Sequence, residues 1–220
     1  MHVCNVAIDS TPFNAPPPRL RQSRFLRLLA AMISFREQLR TFFQSYQRVE
    51  LNSSRLTRAG VLVGIFEKRN EPYFLLTKRT EDVEHHKGQI SFPGGAVDAG
   101  DRDMVATSLR EAEEEIGLTA GHVDVVGTLD DIIIPTGFMV TPVVGYIDEL
   151  PPLKLNRGEV ESVLEVPLSF FRDPKNKKLV KMMRGGVLHD VYFFTFGEFQ
   201  IWGATAAIIE SFLRKLFPPS

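Results

Sequence analysis

The stretch 92–118 reads FPGGAVDAGDRDMVATSLREAEEEIGL, two glycines followed by an Asp-rich segment and a run rich in glutamate. Its second half has the marks of one helix. Met104–Ile116 follows Asp101 and Asp103, either of which can accept from the free amides of a first turn, and Gly117 supplies a stop. At about 100° per residue, Val105, Leu109, Ala112 and Ile116 share one face and are the expected core stripe. Glu111, Glu114 and Glu115 share another, at i, i+3 and i+4, while Glu113 points elsewhere. Carboxylates so close repel one another unless a cation neutralises them. Hard divalent ions such as Mg²⁺ take oxygen ligands and share substrate phosphate oxygens. Arg110, one turn before Glu114, is placed to orient that carboxylate. On its own the helix fits a solvated acidic face as well as a metal site.

The first half of the stretch tips the balance. Gly94 and Gly95 follow a short apolar run and lead, through an Asp-rich loop, into the same helix. Glycines there let backbone approach a metal or phosphate closely. Strand, Gly-Gly and clustered glutamates together suit metal-assisted attack of water on a phosphoanhydride. Glu111 and Glu115 are then the principal expected ligands, Glu114 a further one, and Mg²⁺ or Mn²⁺ the expected ion.

Residues 94–118 resemble the Nudix box, written G-x5-E-x7-R-E-U-x-E-E-x-G-U with U apolar. Arg110 to Leu118 match its second half in full. In the first half the expected glutamate falls on Arg102, and a loop longer by one residue restores the pattern as Gly95, Asp101 and Arg110. That spacing is similar to the coenzyme A pyrophosphatase branch. So are Leu75-Leu76-Thr77-Lys78-Arg79-Thr80, then His86, Gly88 and Phe92-Pro93-Gly94-Gly95, and later Thr136-Gly137-Phe138, Glu159-Val160, and Trp202-Gly203-Ala204-Thr205-Ala206. The branch has an arginine two residues before His86, where this chain has Glu84. The resemblance implies an α+β fold, an α/β/α sandwich around a mixed sheet. It implies hydrolysis of coenzyme A or its thioesters to 3′,5′-ADP and a phosphopantetheine product. Alternatives are another nucleoside diphosphate derivative as substrate, or a binding module without activity. The intact glutamate set argues against the last.

Nearer the N-terminus, Gly60–Glu67 and Pro72–Lys78 are apolar runs on either side of the polar turn Lys68-Arg69-Asn70-Glu71, which predicts a hairpin. Further strands are expected at Gln89–Phe92, Val123–Gly127, Val140–Ile147, Val160–Val166 and near Val191–Phe196, before a closing helix from about Gly203 to Leu216. Residues 1–19, with Pro16-Pro17-Pro18, are expected to be a flexible lead-in. Residues 20–50 are expected to form a helical extension, with Phe25, Leu28, Leu29, Met32, Ile33, Leu39, Phe42 and Phe43 at helical spacing, for packing or a homodimer contact. The domain itself spans 51–220.

Of the other residues singled out, Arg79, Lys78 and His86 are candidates for substrate phosphate, because charged forks and donors suit phosphate oxygens. Glu159, and next to it Glu161, are candidates for the general base. His85, His122 and His189 lack partners at metal-ligand spacing. Lys175-Asn176-Lys177-Lys178, with Lys181, is expected to be a basic loop.

The balance of 26 basic against 27 acidic residues, net −1, gives no reason to expect nucleic acid or an anionic membrane as partner. A single cysteine, Cys4, rules out an intrachain disulfide. There is no apolar run near the ~18–20 residues of a membrane span and no basic-then-apolar secretory order at the start. A cytoplasmic location is the expectation.

Overall fold

The computed structural model describes residues 33–81, 88–184 and 186–218. The lead-in 1–19, the extension as far as residue 32, and Glu84, His85 and His86 lie outside the described residues. Contacts divide the chain after Ser34, and every element below belongs to the unit Phe35–Ser220.

Helix α1 (Phe35–Ser45) precedes β1 (Thr57–Lys68) and β2 (Glu71–Arg79). Arg69 and Asn70, both left-handed at φ 53° and 62°, close the β1–β2 hairpin. Two such residues give a turn whose twist matches the strands it joins. β3 (Ile90–Ser91) and β4 (Gly94–Ala96) lead into α2 (Met104–Ile116), then β5 (Asp124–Thr128), β6 (Ile132–Ile134), β7 (Phe138–Ile147) and β8 (Val160–Pro167). β1 pairs in parallel with β7 from Thr57↔Phe138 to Phe66↔Ile147, and antiparallel with β2. The resulting mixed sheet runs β3-β2-β1-β7-β5, with β8 also against β2, β4 against β1 and β6 against β7.

Alternation along β1 divides the core in two. Leu62 and Phe66 join Leu75, Ala112, Ile116 and Ile147 beneath α2. Val63 and Ile65 join Phe74, Leu76, Ile208, Ile209 and Phe212 on the opposite face. The last three belong to the closing helix, so the sheet lies between helices, and the α+β sandwich is as expected. Short α3 (Leu168–Arg172) adds Phe171 to this second core. α1 belongs there too, through Leu39, which is fully buried, and Phe43, whose ring takes the space a side chain at Gly127 would fill.

A second sheet follows, formed by β9 (Lys177–Arg184), β10 (Val187–Phe196) and β11 (Phe199–Trp202), before α4 (Gly203–Leu216). The expected basic loop is therefore corrected. Lys177, Lys178 and Lys181 lie on β9, where Lys177 pairs with Glu210 at 3.1 Å and Lys181 with Asp190 at 3.0 Å. Charge at an outer strand reads as loop when the partner acids lie on other elements, here β10 and the closing helix. Strands β4, β6 and β11 and helix α3 are likewise additions to the sequence reading.

The core stripe of α2 also needs correction. Its buried residues are Met104, Thr107, Ser108, Ala112, Glu115 and Ile116, whereas Val105 and Leu109 are only half-buried. The reason is Gly60 on β1. A Cβ there would stand 2.7 Å from the Met104 carbonyl oxygen and 3.2 Å from the Thr107 Cβ. Missing bulk at Gly60, facing small Thr107 and Ser108, lets the helix lie directly on the strand. The helix is thereby rotated so that Glu115 faces the sheet.

Candidate active site

Gly94 and Gly95 are not a loop but strand β4, in register with Val61 and Gly60. A Cβ on Gly94 would meet the Val61 Cα at 2.6 Å, and backbone cannot move aside. A Cβ on Gly95 would instead stand 2.5–2.6 Å from all three carboxylate atoms of Glu111. The two glycines therefore serve different ends, one the fold and the other the seat of Glu111. Gly95→Ala is expected to keep a native melting temperature, because the end of a flexible side chain can shift. It should lower turnover about tenfold to a hundredfold, the scale of an ångström displacement at a reacting centre. Gly94→Ala should lower the melting temperature itself. Calorimetry and steady-state rates on both variants check the distinction.

Helix α2 starts and stops as its sequence indicates. Asp103 is the N-cap, accepting from the Ala106 amide at 2.8 Å, and Gly117 at φ 72° ends the helix. Asp101 is thereby left free for Arg110. It takes the guanidinium as a fork, Nε to Oδ1 and Nη2 to Oδ2, both at 3.0 Å. That pair holds the Asp101 carboxyl well below the usual carboxylate range and raises Arg110 further. The same guanidinium donates to the Ala96 carbonyl at 3.1 Å, and its Nη1 bridges Glu111 and Glu114, each at 2.9 Å. One arginine thus joins the end of β4, the loop and two glutamates of the helix.

Glu115 is buried at 3% exposure, where a carboxylate normally needs partners. Its Oε2 has none among the described residues, and Arg79 Nη1 stands 3.6 Å from its Oε1. Burial pushes its pKa up to about 8, with Glu111 and Glu159 adding to the rise and Arg79 opposing it. Burial also raises Glu111, against the pull of Arg110. Among the described residues no three of His, Cys, Asp and Glu form a ready-made metal cluster. The donors nevertheless suit a hard cation: a buried carboxylate oxygen without a partner, a second carboxylate against an open Cα, and a third one turn away.

The raised pKa of Glu115 has a sign that can be measured. The folded protein holds this proton up to about pH 8, whereas the unfolded chain releases it near its ordinary 4.5. Between those values the native state binds more protons, so stability falls as pH rises. In chelator, the melting temperature of the wild type relative to Glu115→Gln should therefore drop between pH 5 and 9, and Mg²⁺ should reverse the drop. A constant difference between the two proteins across that range would contradict the assignment.

Other expected site residues divide by strand alternation. Lys78 and Arg79 are neighbours on β2 and face opposite ways, with a register shift between them. Arg79 joins the glutamates. Lys78 pairs with Glu161 at 2.8 Å and lines a cavity of about 360 Å³ with Gln89, Ile90, Phe199 and Trp202. Of the two base candidates, Glu161 is thus engaged by Lys78. Glu159 lies close enough for its charge to raise both Glu111 and Glu115. His86 lies outside the described residues, and His122 accepts or donates only locally, with Thr119 at 2.9 Å. Sequence reasoning missed the Arg79–Glu115 contact, which joins residues on separate elements.

A mixed sheet between helices, carrying a Gly-Gly strand and a glutamate helix at one end, defines the class. The NUDIX domain family model matches residues 56–184, more than half of the chain, and the chain belongs to that family. It is a Nudix hydrolase, acting on a phosphoanhydride, and such hydrolases use divalent metal ions such as Mg²⁺. An uncharacterized Nudix hydrolase, NudL, of Photorhabdus laumondii is 38% identical over 158 residues, 72% of this chain and 84% of that protein. The NudL of Cronobacter sakazakii is 39% identical over 171 residues, 77% and 88% of the two chains. Among solved structures, the Nudix hydrolase RenU of M. smegmatis is 22% identical over 59% of this chain and 83% of its own, with a TM-score of 0.46. No helix among the described residues is long and apolar enough to cross a membrane.

Proposed function

We propose that this Nudix hydrolase cleaves the pyrophosphate of coenzyme A or its thioesters, releasing 3′,5′-ADP and a 4′-phosphopantetheine product. Support comes from the stretches that resemble the coenzyme A branch, which meet in space. Thr205 of Trp202-Gly203-Ala204-Thr205-Ala206 donates to the Ile90 carbonyl at 3.0 Å, and Ile90 pairs with Lys78 on β2, just ahead of Phe92-Pro93-Gly94-Gly95. This convergence is the observation that carries the reading.

Glu111, Glu115 and Glu114 would hold Mg²⁺ or Mn²⁺, which offsets phosphate charge and lowers the pKa of the attacking water. Arg79, beside Glu115, would bind the pyrophosphate from the other side. Arg110 would hold Glu111 and Glu114 in place. Glu159 would accept the water proton as the water oxygen bonds to phosphorus and the bridging P–O bond breaks, its electrons leaving with the departing phosphate. Lys78, at a cavity with two aromatic walls, would meet the 3′-phosphate of the adenosine end, and Gly94 and Gly95 would give the pyrophosphate room.

A substrate panel with Mg²⁺ and Mn²⁺ tests this directly. Coenzyme A should be cleaved faster than dephospho-coenzyme A by about one to two orders of magnitude in kcat/KM, the scale of one charge-assisted contact. Lys78→Ala should narrow that gap, and Arg79→Ala should slow both substrates alike. Equal rates for the two, or clear preference for ADP-ribose or a nucleoside triphosphate, would refute the substrate.

A further inference from the structure

The end of α2 is held by the loop before β8. The carbonyl of Ile116 accepts from the Lys154 amide at 3.0 Å, and that of Glu115 from the Asn156 amide at 2.9 Å. The rest of Asn156 is turned toward Glu159. Its Nδ2 donates to Glu159 Oε1 at 3.0 Å, and its Oδ1 accepts from the Gly158 amide at 3.1 Å. Its carbonyl accepts from the amides of Glu159 and Val160 at 3.0 and 2.8 Å. The Glu159 carbonyl in turn takes the Thr80 amide at 2.9 Å, one residue beyond Arg79. One residue therefore connects the glutamate helix, through its backbone amide, to the Glu159 carboxylate, through its side chain.

We propose that Asn156 is a positioning residue, which fixes the Glu159 carboxylate relative to Glu111 and Glu115 through its amide donor. The inference rests on Glu159 being the proton acceptor proposed above. The local turn alone needs only the acceptor Oδ1, since an Asx turn is closed by that oxygen. Nothing in the turn requires an NH₂ directed at Glu159. The donor is the part left over for function.

Two substitutions separate the roles. Asn156→Asp keeps the acceptor for Gly158 and loses the donor. Asn156→Ser keeps a shorter acceptor that falls short of Glu159. On the fastest-cleaved member of the substrate panel, both should lower kcat tenfold or more. KM, the Mg²⁺ concentration for half-maximal rate and the melting temperature should stay within about twofold or unchanged. In a Glu159→Gln background the same substitutions should cost less than twofold, because nothing remains to be positioned. A wild-type kcat in both variants would overturn the proposal, and so would a full tenfold loss that adds to Glu159→Gln. Wild-type turnover in Glu159→Gln alone would remove its premise while leaving the hydrolase reading intact. A wild-type chain inactive on the whole panel would overturn both.

Discussion

Glu115→Gln is expected to lower turnover about a thousandfold on every substrate the enzyme cleaves. The substitution keeps shape and volume but removes a charge from the most deeply buried carboxylate of the site. A metal site is expected to contribute about 4 kcal/mol at the transition state, and that loss corresponds to three orders of magnitude in rate. Stability should move the other way. Burial already favours the uncharged acid at this position, so glutamine, which resembles it, should match or exceed the wild-type melting temperature in chelator above neutral pH. Loss of rate without loss of stability distinguishes a functional carboxylate from a structural one. Glu113→Gln is the control, because that side chain is exposed on the far side of the helix. Steady-state rates over a Mg²⁺ titration check both variants, and a wild-type rate for Glu115→Gln would remove the glutamate from the site.

Arg110→Ala should be the next most damaging change, about a hundredfold in rate, because misplacing reacting groups by an ångström has that effect. Its guanidinium serves four acceptors: Asp101, the Ala96 carbonyl, Glu111 and Glu114. Without it Asp101, only 5% exposed in its side chain, loses its charged partner, and Glu111 and Glu114 are left to repel each other. Melting temperature should fall by several degrees together with the rate, unlike in Glu115→Gln. Arg110→Lys should recover little, since an ammonium cannot present a planar fork to Asp101 while reaching a carbonyl and two glutamates. Full activity in Arg110→Lys would show that charge alone suffices there.

The parts of this site written in one continuous stretch are legible in the sequence. The caps at Asp103 and Gly117, the helix between them and the reach of Arg110 to Glu114 all follow from local spacing. The orientation of the helix does not, because hydrophobic periodicity favours Val105 and Leu109 while the strand opposite favours whatever is small. Gly60 within a strand is the available signal, since a missing side chain there marks close approach of another backbone. Arg79 against Glu115 and the Asn156 amide on the Glu115 carbonyl bring together separate elements, and no periodicity links them. β9 is hidden for a different reason: two of its lysines, Lys177 and Lys181, are paired with Glu210 and Asp190, acids that spacing alone does not associate with it.

The parallel pairing of β1 with β7 also sets the order in which the site can come into being. The whole stretch from Phe92 to Leu118 lies inside the chain segment that this pairing closes, and the strand supporting α2 is itself one of the pair. Contacts so distant in sequence form late, because a long loop must be closed before they are rewarded. A nascent chain that has left the ribosome only as far as Gly137 presents every glutamate of the helix and lacks the strand that completes its support. Metal affinity should accordingly appear in one step, when the seventh strand docks, and a fragment ending before Phe138 should carry the signature in full while binding Mg²⁺ no better than an unfolded acidic peptide.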